Sequence, residues 1–139
     1  MILSACTASS PWLLDSLAST APDSKRLIYR PEAGSGGARI EFFTSGNQIS
    51  SYFSSSGRSL GTRATVPARL SLGSESLEED LPLHEGKMRV RLPESWTLKT
   101  IEWLKKGEEV AIKVGSIEQT IQPERFSEHF KQLAKDYHP

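Results

Sequence analysis

The sequence predicts an α+β domain built on an antiparallel sheet, and three observations carry that prediction. Short runs between residues 38 and 92 alternate apolar and polar positions, the period of two of a half-buried strand. Leu98, Ile101 and Leu104, and later Phe126, Phe130, Leu133 and Tyr137, recur at helical spacing instead. Between these two helical stretches lies a strand–turn–strand pattern. Strands gathered first, followed by helix, hairpin and helix, argue for α+β rather than alternating α/β.

Taken in order, Trp12 to Leu17 is a short apolar patch that reads as one or two helical turns, and Ser19 to Ser24 with Pro22 as linker. Lys25 to Tyr29 is a first strand. Ala38 to Thr44 sets Ile40 and Phe42 against Arg39, Glu41 and Phe43; Gln48 to Phe53 sets Ile49, Ser51 and Phe53 against Gln48, Ser50 and Tyr52. With Ser45-Gly46-Asn47 between them, these two runs form a hairpin. Ala64 to Leu72 is a further strand, and Pro67 argues for an edge position. Lys87 to Leu92 turns Met88, Val90 and Leu92 inward and Lys87, Arg89 and Arg91 outward.

The first helix opens near Pro93 to Ser95, with Ser95 or Thr97 as candidate N-caps, Lys105-Lys106 in the last turn and Gly107 at the position that favours positive φ. Val110, Ile112 and Val114 point inward from the next strand. Gly115-Ser116 suits a type II′ turn, and Ile117 to Ile121 returns. Pro123 can open the C-terminal helix. Trp103 stands off the Leu98/Ile101/Leu104 stripe, either widening the buried face or marking an interface. The domain division expected is a tether and linker over 1–24 and one globular domain over 25–139.

A chain of 139 residues can bury one core without staples. Seventeen basic residues balance 17 acidic ones, which gives no overall electrostatic case for nucleic acid or an anionic membrane. The single cysteine, Cys6, excludes an intrachain disulfide. No run approaches the roughly 20 apolar residues of a membrane span.

No catalytic constellation emerges, so the chain reads as a non-enzyme without a cofactor or metal. Gly57-Arg58-Ser59-Leu60-Gly61 fits the G-x-S-x-G string, but a serine-rich loop precedes it and a strand follows, the reverse of a nucleophile elbow. Gly34-Ser35-Gly36-Gly37 leads into a strand, so it lacks the helix N-terminus of a phosphate cradle. His84, His129 and His138 are too scattered for zinc. Charge is uneven along the chain. Lys25, Arg26, Arg30, Arg39, Arg58, Arg63 and Arg69 face only Glu32 and Glu41 before residue 73, whereas Glu75, Glu78, Glu79, Asp80 and Glu85 follow unopposed. The two stretches either pair within the fold or present a partner surface. Its candidate residues are Arg39, Tyr52, Arg58, Arg63, Arg69 and Trp103.

Leu3-Ser4-Ala5-Cys6 resembles a bacterial lipobox, and Thr7 to Pro11 resembles the polar tether that follows one. The resemblance implies a lipid on the Cys6 thiol; Thr7 after the cysteine implies the outer membrane. Residues 88–133 resemble the C-terminal half of invasion-associated locus B-type periplasmic proteins. The matching text is Leu104-Lys105-Lys106-Gly107, Val110-Ala111-Ile112-Lys113-Val114, Thr120-Ile121-Gln122-Pro123 and Phe126-Ser127-Glu128-His129-Phe130. That resemblance implies a β-sandwich-like periplasmic domain with no catalytic residue. The expectation is therefore a lipid-anchored module at the periplasmic face of the outer membrane, docking another envelope or secretion-system protein. Its alternatives are a cell-wall hydrolase or inhibitor using Glu78, Glu79, Asp80 and Glu85, and a cytoplasmic interaction domain.

Overall fold

Alternation in the sequence becomes two antiparallel sheets in the computed structural model, which describes residues 11–16, 25–30, 38–45, 47–84 and 86–134. Cys6, the lipobox-like segment, Gly34 to Gly37, Glu85, Tyr137 and His138 lie outside the described residues. Sheet A orders its strands β1 (Trp12–Ser16), β2 (Lys25–Tyr29), β3 (Arg39–Ser45), β4 (Gln48–Ser54) and β7 (Arg89–Arg91). Sheet B runs β6 (Glu75–Pro82), β5 (Thr65–Leu72), β8 (Val110–Val114) and β9 (Ile117–Ile121). Two helices, α1 (Glu94–Lys105) and α2 (Phe126–Leu133), pack against the sheets, which makes the fold an α+β, sandwich-like one.

The hairpin register matches the alternation. Ile40 pairs with Phe53, Phe42 with Ser51 and Thr44 with Ile49 on the inner face, and all six are buried. The Gly115-Ser116 turn carries its positive φ on Gly115 (+63°) and not on Ser116, the signature of type II′. A β-carbon at Gly115 would lie 2.5 Å from the Leu60 carbonyl oxygen, so only glycine fits there. Gly107 ends α1 at φ +84°; its N–H donates to the Leu104 carbonyl while Glu108 N–H donates to that of Trp103, the paired bonds of a Schellman motif.

Several sequence expectations are corrected. Trp12–Ser16 is a strand, not a helical turn, so sheet A begins inside the stretch read as tether. Its indole packs on Tyr29 and Phe126, and strand geometry places Trp12 inward. β5 is interior, paired with both β6 and β8. Pro67 is tolerated because β8 pairing starts only at Ala68; the Pro67 carbonyl accepts from Gly115 N–H at the turn. The acidic run is strand β6, joined to β5 through a Gly73-Ser74 turn with Leu72 opposite Glu75. Leu77 and Leu81 give it an inner face.

On α1 the buried side is Trp96, Thr97, Thr100, Ile101 and Leu104, whereas Leu98 is 48 % exposed. No side chain caps its start: Pro93 is the N-cap, and the Thr97 hydroxyl instead meets Ser51 of β4 at 2.6 Å. Met88 is also exposed, because β7 begins only at Arg89. α2 opens at Phe126 after Arg125 in the left-handed region (φ +65°), so Pro123 stands in the preceding turn.

The C-terminal stripe closes the core. Phe126 is fully buried, its ring 5.1 Å from Trp12, 5.9 Å from Phe42 and 5.3 Å from Phe130. Edge-on and tilted ring contacts add to the area each aromatic removes from water. Phe126→Ala is expected to cost about 3–5 kcal/mol, read as a shift in the urea midpoint. Arg125 Nε donates to Glu128 Oε2 at 2.9 Å; that bond, and then the Arg125 charge, hold the Glu128 carboxyl below the usual carboxylate range. A depressed folded-state value means the contribution is present above the unfolded range and lost as pH falls through the folded one. NMR titration should place the Glu128 midpoint below that of free glutamate, with Arg125→Gln moving it back up.

Candidate functional site

The outer face of sheet A is where sequence alternation leaves polar side chains that nevertheless pack. With Leu27, Tyr29, Ile40, Phe42, Phe53 and Val90 turned inward, the intervening positions of β2, β3, β4 and β7 point outward. The pairing sets them in rows. Arg26 lies opposite Phe43; Ile28, Glu41, Tyr52 and Arg91 line up across four strands; Arg39, Ser54 and Arg89 line up across three.

Glu41 organises this face. It is only 2 % exposed although it points outward, because arginines from three strands converge on it. Arg39 Nε lies 3.3 Å from Oε1, Arg26 NH1 3.4 Å from Oε2 and Arg89 NH2 4.0 Å from Oε2. The Arg89 guanidinium lies 3.9 Å above the Tyr52 ring centroid and 5.8 Å from that of Phe43. Phe43 and Tyr52 meet edge-on at 5.5 Å, and His84 meets Tyr52 edge-on at 5.7 Å. Stacking on aromatic faces and pairing with a buried carboxylate hold long side chains that would otherwise be free. Asp15 occupies the register position opposite Arg26. Three guanidinium groups on one carboxylate, with Arg91 beside them, make the patch basic.

The expected partner-surface residues divide. Arg39 and Tyr52 sit together on this face. Arg58 and Arg63 lie on the 55–64 loop, which bonds to the segment before β7 through Ser55 N–H to the Met88 carbonyl and Leu60 N–H to that of Lys87. Arg69 is elsewhere, on the outer face of sheet B, where it pairs with Glu78 at 3.0 Å while Lys113 pairs in register with Glu118. Trp103 is half-buried against the core, beside Gly73 and under Lys106 Nζ. Arg26, Glu41 and Arg89 were missing from the sequence-level set. The outward alternation of Lys87, Arg89 and Arg91 was a signal for Arg89, but its pairing with β4 is a long-range event.

A cleft of about 540 Å³ adjoins this face. Glu79, Asp80 and Glu94 line it together with His84 and Arg91. Of the acids weighed for cell-wall chemistry, Glu79 and Asp80 reach this cleft and Glu78 is taken by Arg69. Ser59 donates to the Gly61 carbonyl at 2.6 Å in an exposed loop, which makes the G-x-S-x-G string a turn. Among the described residues no group of three or more His, Cys, Asp or Glu side chains is placed to hold a metal ion.

In comparisons with known proteins, the chain matches no family model, no curated protein and no solved structure.

The central carboxylate can be tested by removal. Glu41→Ala leaves three arginines packed together without their anion. Breaking a fully buried pair costs about 3–5 kcal/mol. Because Arg26, Arg39 and Arg89 are 27 %, 50 % and 39 % exposed, water offsets part of this, and about 2 kcal/mol is expected by chemical denaturation.

Proposed function

We propose that this chain is a non-catalytic binding module that docks an acidic surface of another cell-envelope protein through the outer face of sheet A. The observation that carries this reading is the Arg89–Tyr52 stack beside a buried Glu41. Arginine and tyrosine held in place before contact are the residue types that dominate protein interfaces, since little side-chain freedom is lost on binding. The excess positive charge on the same face would steer an acidic partner. The outer face of sheet B, where Arg69 and Lys113 meet Glu78, Asp80 and Glu118, carries no positive excess.

The location belongs to the same proposal and rests on the lipobox resemblance: a lipid on Cys6 holds the module at the periplasmic face of the outer membrane. No helix among the described residues is long and apolar enough to cross a membrane. An acyl chain supplies membrane affinity at ~0.8 kcal/mol per buried methylene without a span. A second reading, an activity on cell-wall material, is favoured by the cleft that sets Glu79, Asp80 and Glu94 beside Arg91 and His84.

The test is binding of a glutamate-rich decapeptide, measured by fluorescence anisotropy in low and high salt. Arg89→Glu and Tyr52→Ala are expected to weaken it about tenfold or more, and salt should weaken the wild type. Equal binding by these variants removes the face from the proposal. Metabolic labelling with a palmitate analogue should mark the native protein and not Cys6→Ser; an unlabelled native protein ends the anchor reading.

A further inference from the structure

The last row of the basic face contains a hydroxyl that no described residue engages. Ser54 ends β4, with Arg39 paired on one side and Arg89 on the other. It is 7 % exposed, and its Oγ has no hydrogen-bond partner among the described residues. Arg89, its register partner on β7, likewise has a buried Nε with no hydrogen-bond partner among the described residues. Three residues earlier on the same strand the other buried serine, Ser51, has its hydroxyl bonded to Thr97 at 2.6 Å. Buried polar groups are nearly always paired, so two orphans at one register position mark a place where a bond is missing.

The groups around these orphans are suited to an anion. Arg39 meets Glu41 through Nε at 3.3 Å, and its other guanidinium nitrogens supply further donors. Arg89 reaches Glu41 only at 4.0 Å, too long for a hydrogen bond. Both side chains are partly exposed, at 50 % and 39 %, so their guanidinium groups can turn from Glu41 and Tyr52 toward a ligand. Glu41 limits how far they can spread.

We infer that the Arg39–Ser54–Arg89 row is a receptor for a single oxyanion, a carboxylate or phosphate group. Two guanidinium forks supply charge-assisted bonds, and the Ser54 hydroxyl donates the one that selects an oxygen acceptor over a spherical anion. The inference rests on the reading of this face as the binding surface and names the group it grips: one acidic side chain of the partner, or inorganic phosphate at the same place.

The experiment is NMR titration of the ¹⁵N-labelled full chain, following the Ser54 amide and the Arg39 and Arg89 Nε–Hε signals. The titrants are sodium phosphate, sodium acetate and the glutamate-rich decapeptide, each against sodium chloride at matched ionic strength. The expected result is saturable shifts at these three residues with at least one oxyanion and not with chloride. Ser54→Ala should weaken that binding about tenfold, the usual weight of a bond to a charged group. Arg39→Lys, which keeps charge but not the fork, should weaken it while the remaining amide signals keep their folded positions. Saturation by peptide or acetate identifies a carboxylate source; saturation by phosphate alone identifies the free ion. Shifts that follow ionic strength equally in all salts overturn the inference. Peptide binding that Ser54→Ala leaves intact also overturns it, while the docking face survives; oxyanion binding without any peptide binding upholds the receptor and ends the docking reading.

Discussion

The structure depends on a ring cluster between α2 and the first three strands of sheet A. Phe126, from the C-terminal helix, fills the space among Trp12 of β1, Phe42 of β3 and Phe130 one helical turn on. Without that helix the inner faces of β1 and β2 would open to water, and a sheet with one wet apolar face is not stable. The contact joins residues more than one hundred positions apart. The two ends of the described chain thus close a common interior with sheet B, whose Leu70, Ile112 and Ile121 are fully buried in the same cluster. The proximal strands are ordered by the distal helix.

Holding sheet A from behind gives its outer face a defined geometry. A polar outer face would ordinarily be a set of independent solvated side chains. Here Glu41 pulls arginines from β2, β3 and β7 toward the centre of the sheet, and Tyr52 and Phe43 supply flat surfaces for them. The result is a basic and aromatic patch with fixed spacing, which the proposed docking role requires. The outer face of sheet B is also charged, but Glu78, Asp80 and Glu118 there outnumber Arg69 and Lys113, so it carries no positive excess. The two outer faces thus differ in net charge because the sheets gather different strands.

Local periodicity was readable wherever one face of an element is dry. The β3–β4 hairpin, the β8–β9 hairpin with its Gly115-Ser116 turn, the Gly107 helix stop and the Phe126/Phe130/Leu133 stripe all follow from spacing that elementary sterics interpret. The errors fall where that signal is weak. Trp12–Ser16 is too short to separate a strand from a helical turn. Strand β6 carries four acids and only two inward leucines, so its alternation is faint. Leu98 sits at helical spacing yet faces water, because Thr97 and Thr100 occupy the buried side, with the Thr97 hydroxyl bonded to Ser51. Pro67 looks like an edge marker, and only the end of β8 shows why an interior strand accepts it.

By itself, the sequence determined the class of fold, the inward and outward sets of most strands, and the presence of a terminal packing helix. These are consequences of near-neighbour periodicity, which a linear string contains. It also placed Arg39 and Tyr52 on the outward set. Only the tertiary structure decided that Arg26, Glu41 and Arg89 join them, that Arg69 is neutralised elsewhere, and that Ser54, between two arginines, has no partner among the described residues. Those outcomes depend on strand order, β2 beside β3 and β7 beside β4. Strand order is set by how the whole core packs, and no local spacing encodes it.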